Sequence, residues 1–200
     1  EQMHRIGEQY GPETLVWRYD PVFLTSLTPP DWHRARFAEL AAALAGAVDE
    51  VTLSVAEIYR KTRRNLDRAA AAHGFAWGDP EMAEKAALAR DLAAIAADHG
   101  MALTLCTQPT LAGATGLPPA RCIDARRLSD LAGRPVKAST KGNRPGCLCA
   151  AARDIGEYDT CPQGCAYCYA VSRPETVADR VRAHAPDSEF LRPGAAKDQT

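Results

Sequence analysis

Val51-Thr52-Leu53-Ser54-Val55 is a short run rich in β-branched and apolar residues, and its reading decides the fold. Five such residues suit a buried strand and are too few for a helix. Before it, Thr28-Pro29-Pro30-Asp31 signals a helix start, and Phe37, Leu40, Ala41, Leu44 and Val48 recur at helical spacing. Further upstream, Met3 to Glu8 reads as a helix end closed by Gly11 and Pro12, and Thr14-Leu15-Val16-Trp17-Arg18-Tyr19 reads as another strand, ended by Asp20-Pro21. After it, Glu57 to His73 is helical and heavily charged. Asp79-Pro80-Glu81 opens a long amphipathic helix through Ala96, and Met101 to Cys106 forms a third strand. His73-Gly74 and His99-Gly100 are helix stops, with glycine in the left-handed cap position and histidine near the negative helix end. Strand, helix, strand, helices, strand is the pattern of parallel crossover units, so the expected class is α/β.

At the C-terminal ends of such strands α/β folds keep their chemistry. Arg18 and Asp20 share one side of their strand at period two, and Ser54 reaches toward the same end. An ion pair closing a loop and a ligand site are both open readings of Arg18 and Asp20.

Two hundred residues, with 46% hydrophobic residues, can bury the core of one main body. A formal charge of −1 and a pI near 6.6 give no global reason to expect nucleic acid or an anionic membrane as partner. The run Arg60-Lys61-Thr62-Arg63-Arg64 could meet phosphate, but such runs more often form a solvated helix face. No apolar run is long enough to span a bilayer, so a cytoplasmic protein without a membrane partner is expected. Asp124 is the expected N-cap of a short helix to Leu131. Lys137 to Pro145 is a basic linker, and the tail, including Arg192-Pro193-Gly194, offers one short helix around Val177 to Ala185. The expected organisation is a body over 1–136, a cysteine-rich segment over 137–172 and a tail over 173–200.

The seven cysteines are odd in number and clustered, which favours metal over disulfides. Cys161-x3-Cys165-x2-Cys168 offers three soft ligands on a compact turn, suited to an iron-sulfur cluster or zinc. Cys106, Cys122, Cys147 and Cys149 remain as a second, four-thiolate set that could close a zinc or an iron-sulfur centre. Two other partitions stay open. Cys106 and Cys122 could be ordinary buried thiols, or Cys147 or Cys149 could join the three and close that centre. Between the groups, Gly156 permits a turn, and Asp154 could cap cluster-facing amides or bind a ligand.

Cys161-x3-Cys165-x2-Cys168 with Tyr167 before its last cysteine resembles the cluster motif of radical S-adenosylmethionine (SAM) enzymes. The longer string is Arg144-Pro145-Gly146-Cys147-Leu148-Cys149, Asp154-Ile155-Gly156, Tyr158, Thr160-Cys161 and Gly164-Cys165-Ala166-Tyr167-Cys168-Tyr169-Ala170. With Trp17-Arg18-Tyr19-Asp20-Pro21 and Cys122-Ile123-Asp124, it resembles the family called domain of unknown function 1848.

That resemblance implies a partial (βα) barrel of parallel strands with a C-terminal cluster-binding loop region, and a further N-terminal segment ahead of Glu1. It also implies that Cys161, Cys165 and Cys168 hold three irons of a [4Fe-4S] cluster whose fourth iron binds S-adenosylmethionine. One-electron reduction would then cleave the sulfonium and start radical chemistry on an unknown substrate. Tyr167 would lie by the adenine and Arg18 would be a candidate for the cofactor carboxylate. An electron donor such as flavodoxin or ferredoxin would follow. The alternative from another class is a non-enzymatic iron-sulfur or zinc module with a structural or redox role.

Overall fold

A computed structural model describes residues 1–153 and 155–191. Asp154 and Arg192-Pro193-Gly194, both read above, lie outside the described residues. In chain order the elements are α1 (Gln2–Tyr10), a 3-10 turn (Pro12–Thr14), β1 (Trp17–Val22), α2 (Pro30–Leu44), β2 (Glu50–Val55), α3 (Arg60–His73), α4 (Met82–Asp98), β3 (Ala102–Leu105), α5 (Pro109–Thr115), α6 (Ala125–Ala132) and α7 (Pro174–Ala183). They fall into two units: Glu1–Glu57 with Phe75–Ala152, and Ile58–Gly74 with Arg153–Thr200.

The first unit is mixed α/β. Its three strands are all parallel, in the order β1-β2-β3. The register pairs Trp17 with Val51, Arg18 with Thr52 and Tyr19 with Leu53, and then Val51 with Leu103, Thr52 with Thr104 and Leu53 with Leu105. Because side chains alternate along a strand, this register sorts them into two faces. One carries Trp17, Tyr19, Val51, Leu53, Leu103 and Leu105, and the other carries Arg18, Asp20, Glu50, Thr52, Ser54 and Thr104.

The apolar set joins Phe37 and Ala41 of α2 and Ala89, Leu92 and Ala96 of α4 in one buried core. Phe37 stands against two strand rings, Trp17 at 4.7 Å and Tyr19 at 5.1 Å between centroids. Leu40, read as a core position of α2, points outward and is 44% exposed, whereas Val48 lies beyond the helix and is buried.

β1 starts and ends later than its composition suggests. Pro12–Thr14 is taken by the 3-10 turn, so pairing begins at Trp17. Pro21 does not end the strand, because β1 is an edge strand in which a residue without an N–H is tolerated. The register shifts between Tyr19 and Val22, and Val22 O accepts from Ala56 N at 2.8 Å. Asp124 caps α6 as its side chain accepts from Arg126 N at 2.9 Å. Gly74 caps α3 in the left-handed conformation.

His33 is a buried polar group of this unit, 4% exposed. Its Nε2–H is placed to donate to Phe23 O at 3.0 Å and its Nδ1 to accept from the Tyr19 hydroxyl at 2.8 Å, which satisfies the neutral ring. Burial pushes its pKa below the ordinary value. The unfolded chain therefore binds the extra proton first as pH falls through about 6.5, and stability falls with it until the lower folded pKa is passed. Thermal melts between pH 7.5 and 5 are expected to show a falling midpoint, with a shallower slope for His33→Gln. An unchanged slope would contradict it.

The second unit holds α3 and α7, whose buried residues are Thr62, Leu66 and Val177. Among the described residues no helix is long and apolar enough to cross a membrane.

Candidate functional site

The polar face of the sheet is hydrogen-bonded along its length. Thr104 Oγ1 donates to Glu50 at 2.9 Å, and the Thr52 and Thr104 hydroxyls lie 3.3 Å apart. Toward the C-terminal strand ends, Asp20 accepts from both Ser54 Oγ and the Arg18 guanidinium. Arg18 and Asp20 form an ion pair, and Arg18 extends the contact to sulfur. Arg18 Nη1 also donates to Cys122 Sγ at 2.8 Å. Burial opposes the charge on Arg18, but hydrogen bonds to Asp20 and Cys122 overcome it and hold the guanidinium above its usual pKa.

Cys122 Sγ lies 3.7 Å from Cys106 Sγ. Cys106 ends β3, where Thr107 follows with φ 55, a left-handed conformation that is strained for a β-branched residue. Thr107 Oγ1 is 3.5 Å from Cys106 Sγ, and Arg144 donates to the same sulfur at 3.8 Å. The two thiols behave as one acid. Hydrogen bonding from the Cys122 thiol, opposed by burial and helped by Thr107 and Arg18, pulls Cys106 down to about 4. The same shared hydrogen bond, together with burial, pushes the second ionisation, at Cys122, above the thiol range.

Cys147 and Cys149 lie on a hairpin. Thr140 bridges Ala150 antiparallel, Lys141 N donates to Cys149 O at 2.9 Å, and Ala151 N donates to Ser139 O at 2.8 Å. Gly142 makes the close turn, because a Cβ there would collide with Cys147 O. The hairpin is fastened beside Cys122 by Ala150 N donating to Ile123 O at 2.8 Å. Backbone hydrogen bonding near Cys149 and Asn143, with lesser help from the Cys149 thiol and the Thr107 hydroxyl, draws the Cys147 pKa down.

The other three cysteines belong to the second unit, in a loop closed at its base. Asp159, itself at φ 58, accepts on Oδ1 from Ser172 N and from Arg173 N at 3.1 Å, while its own N–H donates to Ala170 O at 2.9 Å. Those backbone donors hold the Asp159 carboxyl below its usual pKa. Lys61 Nζ adds bonds to Val171 O at 2.7 Å and Tyr169 O at 3.3 Å, and Arg180 binds Tyr158 O. Within the loop, Gly164 takes φ 67, and Cys168 N donates to Cys165 O at 3.0 Å, so consecutive turns carry Cys161, Cys165 and Cys168. Cys161 and Cys165 are exposed, Cys168 is partly buried, and Tyr167 is 43% exposed.

Among the described residues no three His, Cys, Asp or Glu side chains already stand where they could hold a metal. What the fold supplies is soft donors on constrained backbone.

Sequence reading missed Asp159, Lys61 and Thr107. Lys61 sat inside a charged run read as phosphate-binding or solvated, but it holds two carbonyls. Gln108 was also missed; its side-chain amide pairs with both backbone groups of Val55 at 2.8 Å and ties the start of α5 to β2.

Neither a curated protein nor a solved structure matches the chain. The family model described as Domain of unknown function (DUF1848) matches residues 1–170, a stretch that takes in the sheet, the hairpin and Cys161, Cys165 and Cys168. The chain therefore belongs to the DUF1848 family.

Proposed function

We propose that the chain is an iron-sulfur protein of the radical SAM type, with Cys161, Cys165 and Cys168 each holding one iron of a [4Fe-4S] cluster. The observation that carries this reading is the closed loop. Asp159 and Lys61 pin both ends of a segment that presents three thiols and no competing carboxylate or histidine. Soft, thiol-only donor sets of this kind fit iron-sulfur clusters. Held by Cys161, Cys165 and Cys168, such a cluster with S-adenosylmethionine and an electron donor such as flavodoxin or ferredoxin would supply radical chemistry toward an unknown substrate.

The chain's own residues would do the rest. Gly164 lets the backbone turn between ligands, and the half-exposed Tyr167 ring, one residue before Cys168, offers a face for the adenine. Oxygen-sensitive chemistry and free thiols suit a cytoplasmic setting.

The sheet is read as part of an α/β barrel. Strand order follows chain order without the reversal of doubly wound sheets, and the helices cover the apolar face while the opposite face is polar.

Anaerobic reconstitution of the full-length protein is expected to bind about four irons per three-cysteine loop and to cleave S-adenosylmethionine to 5′-deoxyadenosine on reduction. The Cys161→Ala, Cys165→Ala, Cys168→Ala variant is expected to do neither. Iron bound by this loop without cleavage would overturn the enzymatic reading in favour of a structural or redox module.

A further inference from the structure

We propose that Cys106, Cys122, Cys147 and Cys149 form a separate four-thiolate centre that closes on one zinc ion. The site lies wholly in the first unit and does not rest on the cluster reading above.

The 3.7 Å between Cys106 and Cys122 sulfurs is the first ground. Two thiolates on one zinc at about 2.3 Å, at the tetrahedral angle, stand about 3.8 Å apart. Thiolates on separate irons of a cubane stand farther apart, because each iron carries a single cysteine. The pair is therefore spaced as one edge of a single-ion tetrahedron.

The second ground is where the hairpin is fixed. Ala150 N binds Ile123 O, which sets Cys149 beside the segment of Cys122. At the other end, a side chain at Gly146 would stand 3.7 Å from Pro109 and 3.9 Å from Thr107, so Cys147 is held beside the segment of Cys106. Thr107, the residue that a Cβ at Gly146 would approach, is also the one whose hydroxyl lies 3.5 Å from the Cys106 sulfur. Two pairs of thiols thus stand on adjoining backbone, and closing them needs side-chain rotation at the hairpin.

Charge is the third ground. Zinc with four thiolates carries a net −2. Arg18, which is shared with Asp20, donates to Cys122 and Arg144 donates to Cys106, so two guanidinium groups on the sulfurs offset part of that charge. On binding, each thiol still protonated releases its proton to solvent and forms one Zn–S bond; no electron is transferred.

The test uses the full chain with Cys161, Cys165 and Cys168 changed to alanine, purified and loaded with zinc. Elemental analysis is expected to give about one zinc per chain, and cobalt substitution a sulfur-to-metal charge-transfer spectrum of four thiolates. Cys106→Ser or Cys149→Ser is expected to weaken zinc binding at least about 100-fold, beyond the 10–100-fold typical of residues that merely orient ligands. Because these variants could fail to fold, the unmodified chain gives a second readout. With zinc, Cys106, Cys122, Cys147 and Cys149 are expected to resist alkylation while Cys161, Cys165 and Cys168 react. Equal alkylation of all seven, iron rather than zinc on the four, or a Cys106–Cys122 disulfide in their place would overturn the proposal.

Discussion

Replacing Phe37 with alanine is expected to destabilise the chain by about 3–5 kcal/mol, the range for emptying a fully buried aromatic site. Phe37 has no exposed surface and stands where α2 meets the sheet, 4.7 Å from the Trp17 ring and 5.1 Å from Tyr19. Those rings lie on a twisted sheet that cannot follow a retreating helix side chain without breaking parallel pairing. The cavity would therefore stay largely open, and the cost should fall toward the upper half of the range. For a chain of this size the melting midpoint would drop on the order of 10 °C. Phe37→Leu keeps most of the volume and should cost only about 1–2 kcal/mol. Urea unfolding of the two variants checks the ordering; an alanine cost below that of leucine would show that the core is not organised around this ring.

The α/β alternation was legible because β2 and β3 are apolar runs between helices with clear starts and stops. Boundaries were less so. The strand at Thr14–Tyr19 carries the right residue types, but Pro12 favours the 3-10 turn that takes Thr14, and an edge position lets the strand pass through Pro21. Leu40 fits the helical period of α2 yet faces away from the core, since periodicity marks a stripe and not which of its edges is covered. Helix α5 was missed because it is only seven residues long and is interrupted by Gly113, while Gln108 holds that segment through a bond to β2 that no local pattern reveals.

The cysteines were legible as ligand candidates by spacing, but their surroundings were not. Nothing in the linear sequence sets Arg18 against Cys122, which lies 104 residues away. The contact depends on the β1–β2–β3 register and on the turn that follows β3. The polar face has the same origin. Arg18, Asp20, Glu50, Thr52, Ser54 and Thr104 are unremarkable one by one and become two hydrogen-bonded sets, Arg18–Asp20–Ser54 and Thr52–Thr104–Glu50, only when three strands align.

Asp159→Ala is expected to abolish most iron binding by the cysteine loop, with a several-fold fall in iron per chain on anaerobic reconstitution. The carboxylate accepts from two successive backbone amides, Ser172 N and Arg173 N, while the same residue's N–H is tied to Ala170 O. It also occupies φ 58, which an aspartate tolerates far better than alanine does. Removing the side chain opens the base of the loop and raises the entropy that must be lost before Cys161, Cys165 and Cys168 can face one cluster. Asp159→Asn keeps the left-handed preference and one acceptor oxygen, so it should retain much of the iron. The contact reaches α7 only at its N-cap Arg173 and the preceding Ser172, outside the helical turns themselves, so far-ultraviolet circular dichroism should change little. Full iron content in the alanine variant would show that the loop is organised by the cluster itself, with Asp159 only trimming its edge. Charge loss alone would affect alanine and asparagine equally, whereas loop closure predicts the two to separate. The comparison also distinguishes this contact from the bonds of Lys61. A methionine at Lys61 removes two donors to carbonyls that water can replace, and should cost less iron than Asp159→Ala.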